Sequence, residues 1–104
     1  MKEALSFIEQ HYSEDISIED ISSSCGLNRS YFSKVFRDTM GESPQGFLLH
    51  YRMARAAQLL TESRLPIRTI STMVSYPNQL HFSRAFKNVY GISPRDYRAK
   101  HFAL

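Results

Sequence analysis

Two sets of side chains in this sequence have the types and spacing to read a polyanion. Arg29, Ser30, Ser33, Lys34 and Arg37 form one set, and Gln79, Leu80, Ser83, Arg84 and Lys87 form the other. On a helix, each set lies opposite an apolar face: Phe32, Val35, Phe36 and Met40 in the first stretch, Phe82, Ala85, Phe86 and Val89 in the second. Both apolar faces are expected in the core. Each outward set places small or hydrogen-bonding residues beside a cation and contains no acid. Such groups match base-pair edges: Arg or Lys on guanine, Gln or Asn on adenine, an apolar chain on the thymine methyl, small residues for close approach. Arg37 and Lys87 lie a turn further along and are expected to meet phosphate. Taken singly, a cation on a helix surface is usually just solvated. The phenylalanine pairs could also stack on single strands, but their helical spacing assigns them to the interior.

The pattern carries weight because it occurs twice. "YFSKVFRDTMGESP", Tyr31 to Pro44, and "HFSRAFKNVYGISP", His81 to Pro94, are identical at 6 of 14 positions. Lys34 pairs with Arg84, Arg37 with Lys87 and Asp38 with Asn88. Upstream the register slips by one residue, and Ile18, Ile21 and Ser22 match Ile67, Ile70 and Ser71. Short helix, tight break, longer helix, stated twice, is the outline of a helix-turn-helix.

The elements that must position these residues read as helical throughout. Leu5, Ile8 and Tyr12 mark a first amphipathic helix. "SIED" at Ser17–Asp20 is a capping-box pattern that opens a short second helix with Ile18, Ile21 and Cys25 on one side. "CGLN" breaks the chain, and Asn28 caps a third helix, 29–40, which Gly41 ends. Ser43-Pro44 starts the longest helix, 44–62, roughly 28 Å at the standard rise. Its polar stripe is narrow (Gln45, Arg52, Arg55, Glu62), which suggests a spacer packed on both flanks. "PIRTIS" opens a short fifth helix, "SYPN" is the second break, and a sixth helix runs 79–90. Gly91 ends it, and Ser93-Pro94 opens a last helix with Tyr97 facing inward. The expected architecture is all-α: seven helices, with two helix-turn-helix subdomains (1–43 and 64–104) joined by a long linker helix (44–63).

Composition narrows the function. The chain has 104 residues and a net charge of +3. Residues 1–26 hold one lysine against six acids, whereas residues 27–104 hold twelve Lys/Arg against four acids. A basic body behind an acidic first quarter suits a polyanionic partner. The apolar runs are too short to span a membrane, no signal peptide is evident, and the single cysteine, Cys25, fits a reducing cytoplasm. His11, His50, His81 and His101 are scattered, and no metal, phosphate-loop or Cys–His pattern is evident. Neither an enzyme nor a cofactor is expected. The competing reading is a helical protein-interaction module, which calls for hydrophobic rather than polar outward faces. RNA binding calls for aromatic or loop-based readers, which are not evident.

Two segments carry a further resemblance: "IEDISSSCGLNRSYFSKVFRDTMGESPQGFLLHYRMARAAQLL" and "IRTISTMVSYPNQLHFSRAFKNVYGISPRDYR". They resemble the DNA-binding domain of AraC/XylS-type bacterial transcription regulators, most specifically in "FSRAFKNVYGISPRDYR", Phe82 to Arg98. The resemblance implies two recognition helices reading successive major grooves of duplex DNA. It implies base contacts from Arg29, Ser30, Ser33 and Lys34, and from Asn78, Gln79, Leu80, Ser83 and Arg84. It further implies a transcription regulator, an activator by family habit, with this chain as a monomeric fragment. A sensor and dimerisation domain is then expected elsewhere in a longer protein. The acidic first quarter is a candidate surface for RNA polymerase. Three departures from the family pattern stand out, at five positions. Ser75 stands where Gly is common, and Ser22 and Ser71 where Ala is frequent. Leu80-His81 replaces the usual Ser-Tyr. The Ser75 turn is therefore expected to be strained or altered, and the second unit's contacts to transfer less directly.

Overall fold

The structure is a computed structural model that describes residues 1–102. It contains seven α-helices: α1 (Lys2–His11), α2 (Ile18–Ser24), α3 (Arg29–Met40), α4 (Pro44–Glu62), α5 (Ile67–Met73), α6 (Gln79–Tyr90) and α7 (Pro94–His101). No strand occurs among the described residues. The chain divides into two compact units, Met1–Leu49 and a second that begins at His50, so the division falls inside α4.

In the first unit α1 packs on α2, and α2 on α3. Ala4 and Ile8, one turn apart, form the buried line of α1, and Leu5 and Tyr12 are only half-buried. The buried stripe is thus Ala4–Ile8 rather than the expected Leu5–Ile8–Tyr12. The capping box forms as expected: Asp20 N–H donates to Ser17 Oγ (3.1 Å) and Ser17 N–H to Asp20 Oδ2 (2.8 Å). Ile18 and Ile21 are buried beneath it, with Cys25 half-buried.

The second unit repeats the plan, with α5 packed on α6 and α6 on α7. An aromatic trio recurs at the same positions. Phe32 meets Phe36 with ring centres 5.5 Å apart, and Phe36 meets Phe47 edge-on at 5.4 Å. In the second unit Phe82 meets Phe86 at 5.9 Å, and Phe86 meets Tyr97 edge-on at 5.3 Å. Edge-to-face geometry suits the ring quadrupoles and adds about 0.5–1.5 kcal/mol per pair beyond area burial. All four phenylalanines of α3 and α6 are fully buried, which removes them as stacking platforms. Val35, Met40, Ala85 and Val89 are half-buried, at the margin of the core.

The helix that follows each trio opens alike. Ser43 Oγ accepts from Gly46 N–H (3.1 Å) and Ser93 Oγ from Asp96 N–H (3.1 Å), with Pro44 and Pro94 buried at the first helical position. Along α4, Leu48, Met53, Ala56, Ala57 and Leu60 are buried. Gln45 is exposed near the start, and an exposed line follows at His50, Ala54, Gln58 and Glu62, spaced four apart. This corrects part of the expected stripe: Gln45 and Glu62 are exposed, but Arg52 and Arg55 are half-buried, as long arginine stems can cover apolar surface. Arg55 donates to Gln58 Oε1.

Candidate nucleic-acid interface

Each outward-facing helix is held at its start by an asparagine. Asn28 Oδ1 accepts from Tyr31 N–H (2.9 Å), and Asn78 Oδ1 accepts from Leu80 N–H (2.9 Å) and His81 N–H (3.1 Å). The side-chain carbonyl of Asn78 is therefore committed to the helix, and its amide Nδ2 is the group left for a ligand. Gly41 and Gly91, with φ of 80° and 83°, close the far ends of α3 and α6.

The break that aims each helix is the same turn twice. After α2, Leu27 N–H donates to the Ser22 carbonyl (3.0 Å) and Gly26 N–H to the Ser23 carbonyl (3.0 Å). After α5, Tyr76 N–H donates to the Ser71 carbonyl (2.9 Å) and Ser75 N–H to the Thr72 carbonyl (3.1 Å). Both are Schellman motifs, which need a left-handed residue at the position after the cap. Gly26 supplies it at φ 70°, and Ser75 adopts it at φ 69°. The turn at Ser75 is thus strained but unaltered. Pro77 lengthens the second break by one residue, which accounts for the slipped register. Ser22 and Ser71 are buried, and both hydroxyls are used: Ser22 Oγ donates to the Glu19 carbonyl (3.1 Å), and Ser71 Oγ donates across the turn to the Tyr76 carbonyl.

On α3, Arg29, Ser30, Lys34 and Arg37 are exposed and Ser33 is half-buried. On α6, Gln79, Leu80, Arg84 and Lys87 are exposed and Ser83 is half-buried, with Asn78 exposed at the cap. Ser33 and Ser83 occupy equivalent positions, so both units set a small residue back between the projecting side chains. Two features were missed in the sequence. Tyr31 is 57% exposed in the first turn of α3. Its alignment with the exposed His81 was the available signal, and an aromatic residue beside a core phenylalanine is easily assigned to the interior. Asp38 is also exposed, and it lines one open hollow with Ser33, Lys34, Arg37, Ser43, Pro44 and Gln45. An acid therefore borders the first unit's face, whereas the equivalent Asn88 of the second unit is neutral.

Three of the six acids of the first quarter gather elsewhere in the first unit. Glu14, Asp15 and Asp20 surround a shallow hollow with Phe7 and His11, and His11 Nδ1 lies 2.7 Å from Glu14 Oε2. Among the described residues no cluster of His, Cys, Asp or Glu could hold a metal ion, and no helix is long and apolar enough to cross a membrane.

A helix-turn-helix domain family model matches residues 15–100. The chain belongs to the AraC-type helix-turn-helix family. The lactose operon transcription activator of Staphylococcus xylosus is 36% identical over 104 residues, 100% of this chain and 37% of that protein. The C-terminal domain of AraT, a response regulator from Geobacillus stearothermophilus, superposes with a TM-score of 0.94 at 33% identity, over 99% of this chain and 86% of that one. A transcriptional regulator with an AraC-type DNA-binding domain from Chromobacterium violaceum gives a TM-score of 0.89 at 31% identity, over 96% and 89% of the two chains. This AraC-type chain spans little more than a third of the length of the curated relatives it matches first. The family and these relatives are transcription regulators, not enzymes.

Proposed function

We propose that this AraC-type domain binds duplex DNA sequence-specifically, with α3 and α6 in successive major grooves, as the reading head of a bacterial transcription regulator. The observation that carries the reading is the duplicated unit: the same turn, the same asparagine cap and an outward face that places a cation beside a set-back serine in both. Arg29, Ser30, Ser33 and Lys34 are the base-reading residues of the first unit. Asn78 through its amide, Gln79, Leu80, Ser83 and Arg84 serve the second. Arg37 and Lys87 grip phosphate. Subdomains 1–43 and 64–104 act as the two readers, with the helix 44–63 as their linker.

The relatives' greater length supports a longer protein with a sensing and dimerising domain, in which this part alone is monomeric. The name of the Staphylococcus xylosus relative supports an activator. Glu14 and Asp15 then present a surface for RNA polymerase, and the site of action is the cytoplasm. A charge reversal at both acids that leaves activation intact removes the polymerase contact.

Base and phosphate roles separate in binding measurements. Arg84→Ala is expected to cost about 1–3 kcal/mol and relax preference at one base pair. Lys87→Ala weakens all sequences alike and lowers the slope of log K against log salt by about one. If both variants bind like the parent across salt concentrations, the assigned face is wrong.

A further inference from the structure

Leu80 is anomalous for the fold. It is 58% exposed, in the first turn of α6, where its backbone N–H is already satisfied by Asn78 Oδ1 at 2.9 Å. The interior of the unit is filled by Phe82 and Phe86, and at the equivalent position of α3 the chain uses Ser30. The repeated architecture therefore imposes no leucine here. Among the described residues only three large hydrophobic side chains stand exposed: Tyr31, Met73 and Leu80. Two of these three lie in the first turns of α3 and α6. A single exposed leucine is unremarkable on its own; on the face that carries Gln79, Ser83 and Arg84 it needs a partner.

We propose that Leu80 reads the 5-methyl group of a thymine in the half-site bound by α6. The inference rests on the DNA-binding reading above and specifies its ligand. An isobutyl group has no hydrogen-bonding capacity, and the apolar feature that a major groove presents is the thymine methyl. Any other base pair there leaves Leu80 against polar edges, desolvating them without replacement bonds. Ser83 and Arg84 follow Leu80 by three and four residues, so they lie one helical turn away. A turn rises about 5.4 Å, and base pairs stack about 3.4 Å apart. The thymine therefore lies about one or two base pairs from the pair read by Arg84.

The test begins with selection of a duplex from a random pool by the chain itself. Each thymine of the selected site is then replaced singly by deoxyuridine, which removes the methyl and leaves every hydrogen-bonding group in place. One replacement is expected to weaken the parent roughly three- to tenfold, the scale of one buried methyl. Leu80→Ala is expected to bind thymine and uracil duplexes equally at that position while keeping its response to other base changes. Leu80→Ser, which copies the first unit, gives the same flat response and controls for the alanine variant. Circular dichroism melts of both variants should match the parent, because the side chain is outside the core. If no thymine shows a uracil penalty that disappears in both variants, the inference is overturned and DNA binding stands. If no duplex is enriched at all, the DNA-binding reading fails and takes the inference with it.

Discussion

Ser75 is the one non-glycine residue with positive φ among those described, and it sits where Gly26 sits in the first unit. A side chain in this conformation crowds its own backbone by about 1 kcal/mol or more, and the hydrogen bond from Ser71 Oγ to the Tyr76 carbonyl helps hold the turn closed against it. Ser75→Gly is therefore expected to stabilise the chain by about 0.5–1 kcal/mol after the extra freedom of glycine in the unfolded chain is counted. That corresponds to a rise in Tm of a few degrees, since 1 kcal/mol moves a domain of this size by about 4–8 °C. Gly26→Ala should move the melt the other way by a similar amount. A melt of Ser75→Gly at or below the parent would count against the strain. Asn78 offers a second single-position test. Asn78→Asp keeps the capping oxygen but replaces the free amide with negative charge, so it should melt like the parent and bind DNA at least tenfold more weakly. The strain at Ser75 could be anticipated by aligning the two breaks. The commitment of the Asn78 carbonyl to the cap could not, because the sequence does not show which of its two polar atoms the backbone claims.

Five of the seven helices start at a side-chain cap, which is why those starts could be read in advance, whereas α1 and α5 begin without one. Ser17, Asn28, Ser43 and Ser93 are local signals that need no tertiary context. The faces were harder to foresee, as α4 shows with its half-buried Arg52 and Arg55. Arg98 is a further example: a cation in the basic part of the chain that serves structure. Its Nε donates to the Leu60 carbonyl (3.0 Å) and its Nη2 to the Ser63 carbonyl (3.3 Å), so α7 covers the orphan carbonyls where α4 ends. Arg98→Ala is expected to cost about 2–3 kcal/mol in urea unfolding, through two lost charge-assisted bonds. Arg98→Lys should recover only part, because an ammonium lacks the fork. Folded molecules of either variant should bind DNA with the parent's salt slope, which separates this arginine from Lys87. The contact of α6 with α7 adds a pH dependence. Burial, then the neighbouring Tyr97, raises the Tyr90 pKa above 10.0. The unfolded chain thus releases this proton first, so the stabilisation is complete below pH about 10 and is lost as pH rises through the folded value. Tyr90→Phe should flatten the alkaline arm of the stability curve.

The duplication ties these parts to the mode of DNA recognition. A repressor dimer sets its half-site spacing through the contact between two chains. In the proposed function both readers belong to one chain, and the residues between the two subdomains form the helix α4. The proposed function therefore predicts a selected site with two unlike half-sites, because α3 presents Arg29, Ser30 and Lys34 where α6 presents Gln79, Leu80 and Arg84. Their centres should lie about 10 base pairs apart, one turn of the duplex. Inserting about five base pairs between them turns the second half-site to the far side of the DNA. Binding should then fall to that of one half-site, a loss of tenfold or more. The double variant Arg84→Ala, Lys87→Ala has already given up the second half-site, so the same insertion should leave its affinity nearly unchanged. A parent protein indifferent to the insertion would mean that one unit alone reads DNA, and the polar face of the other would need a different partner.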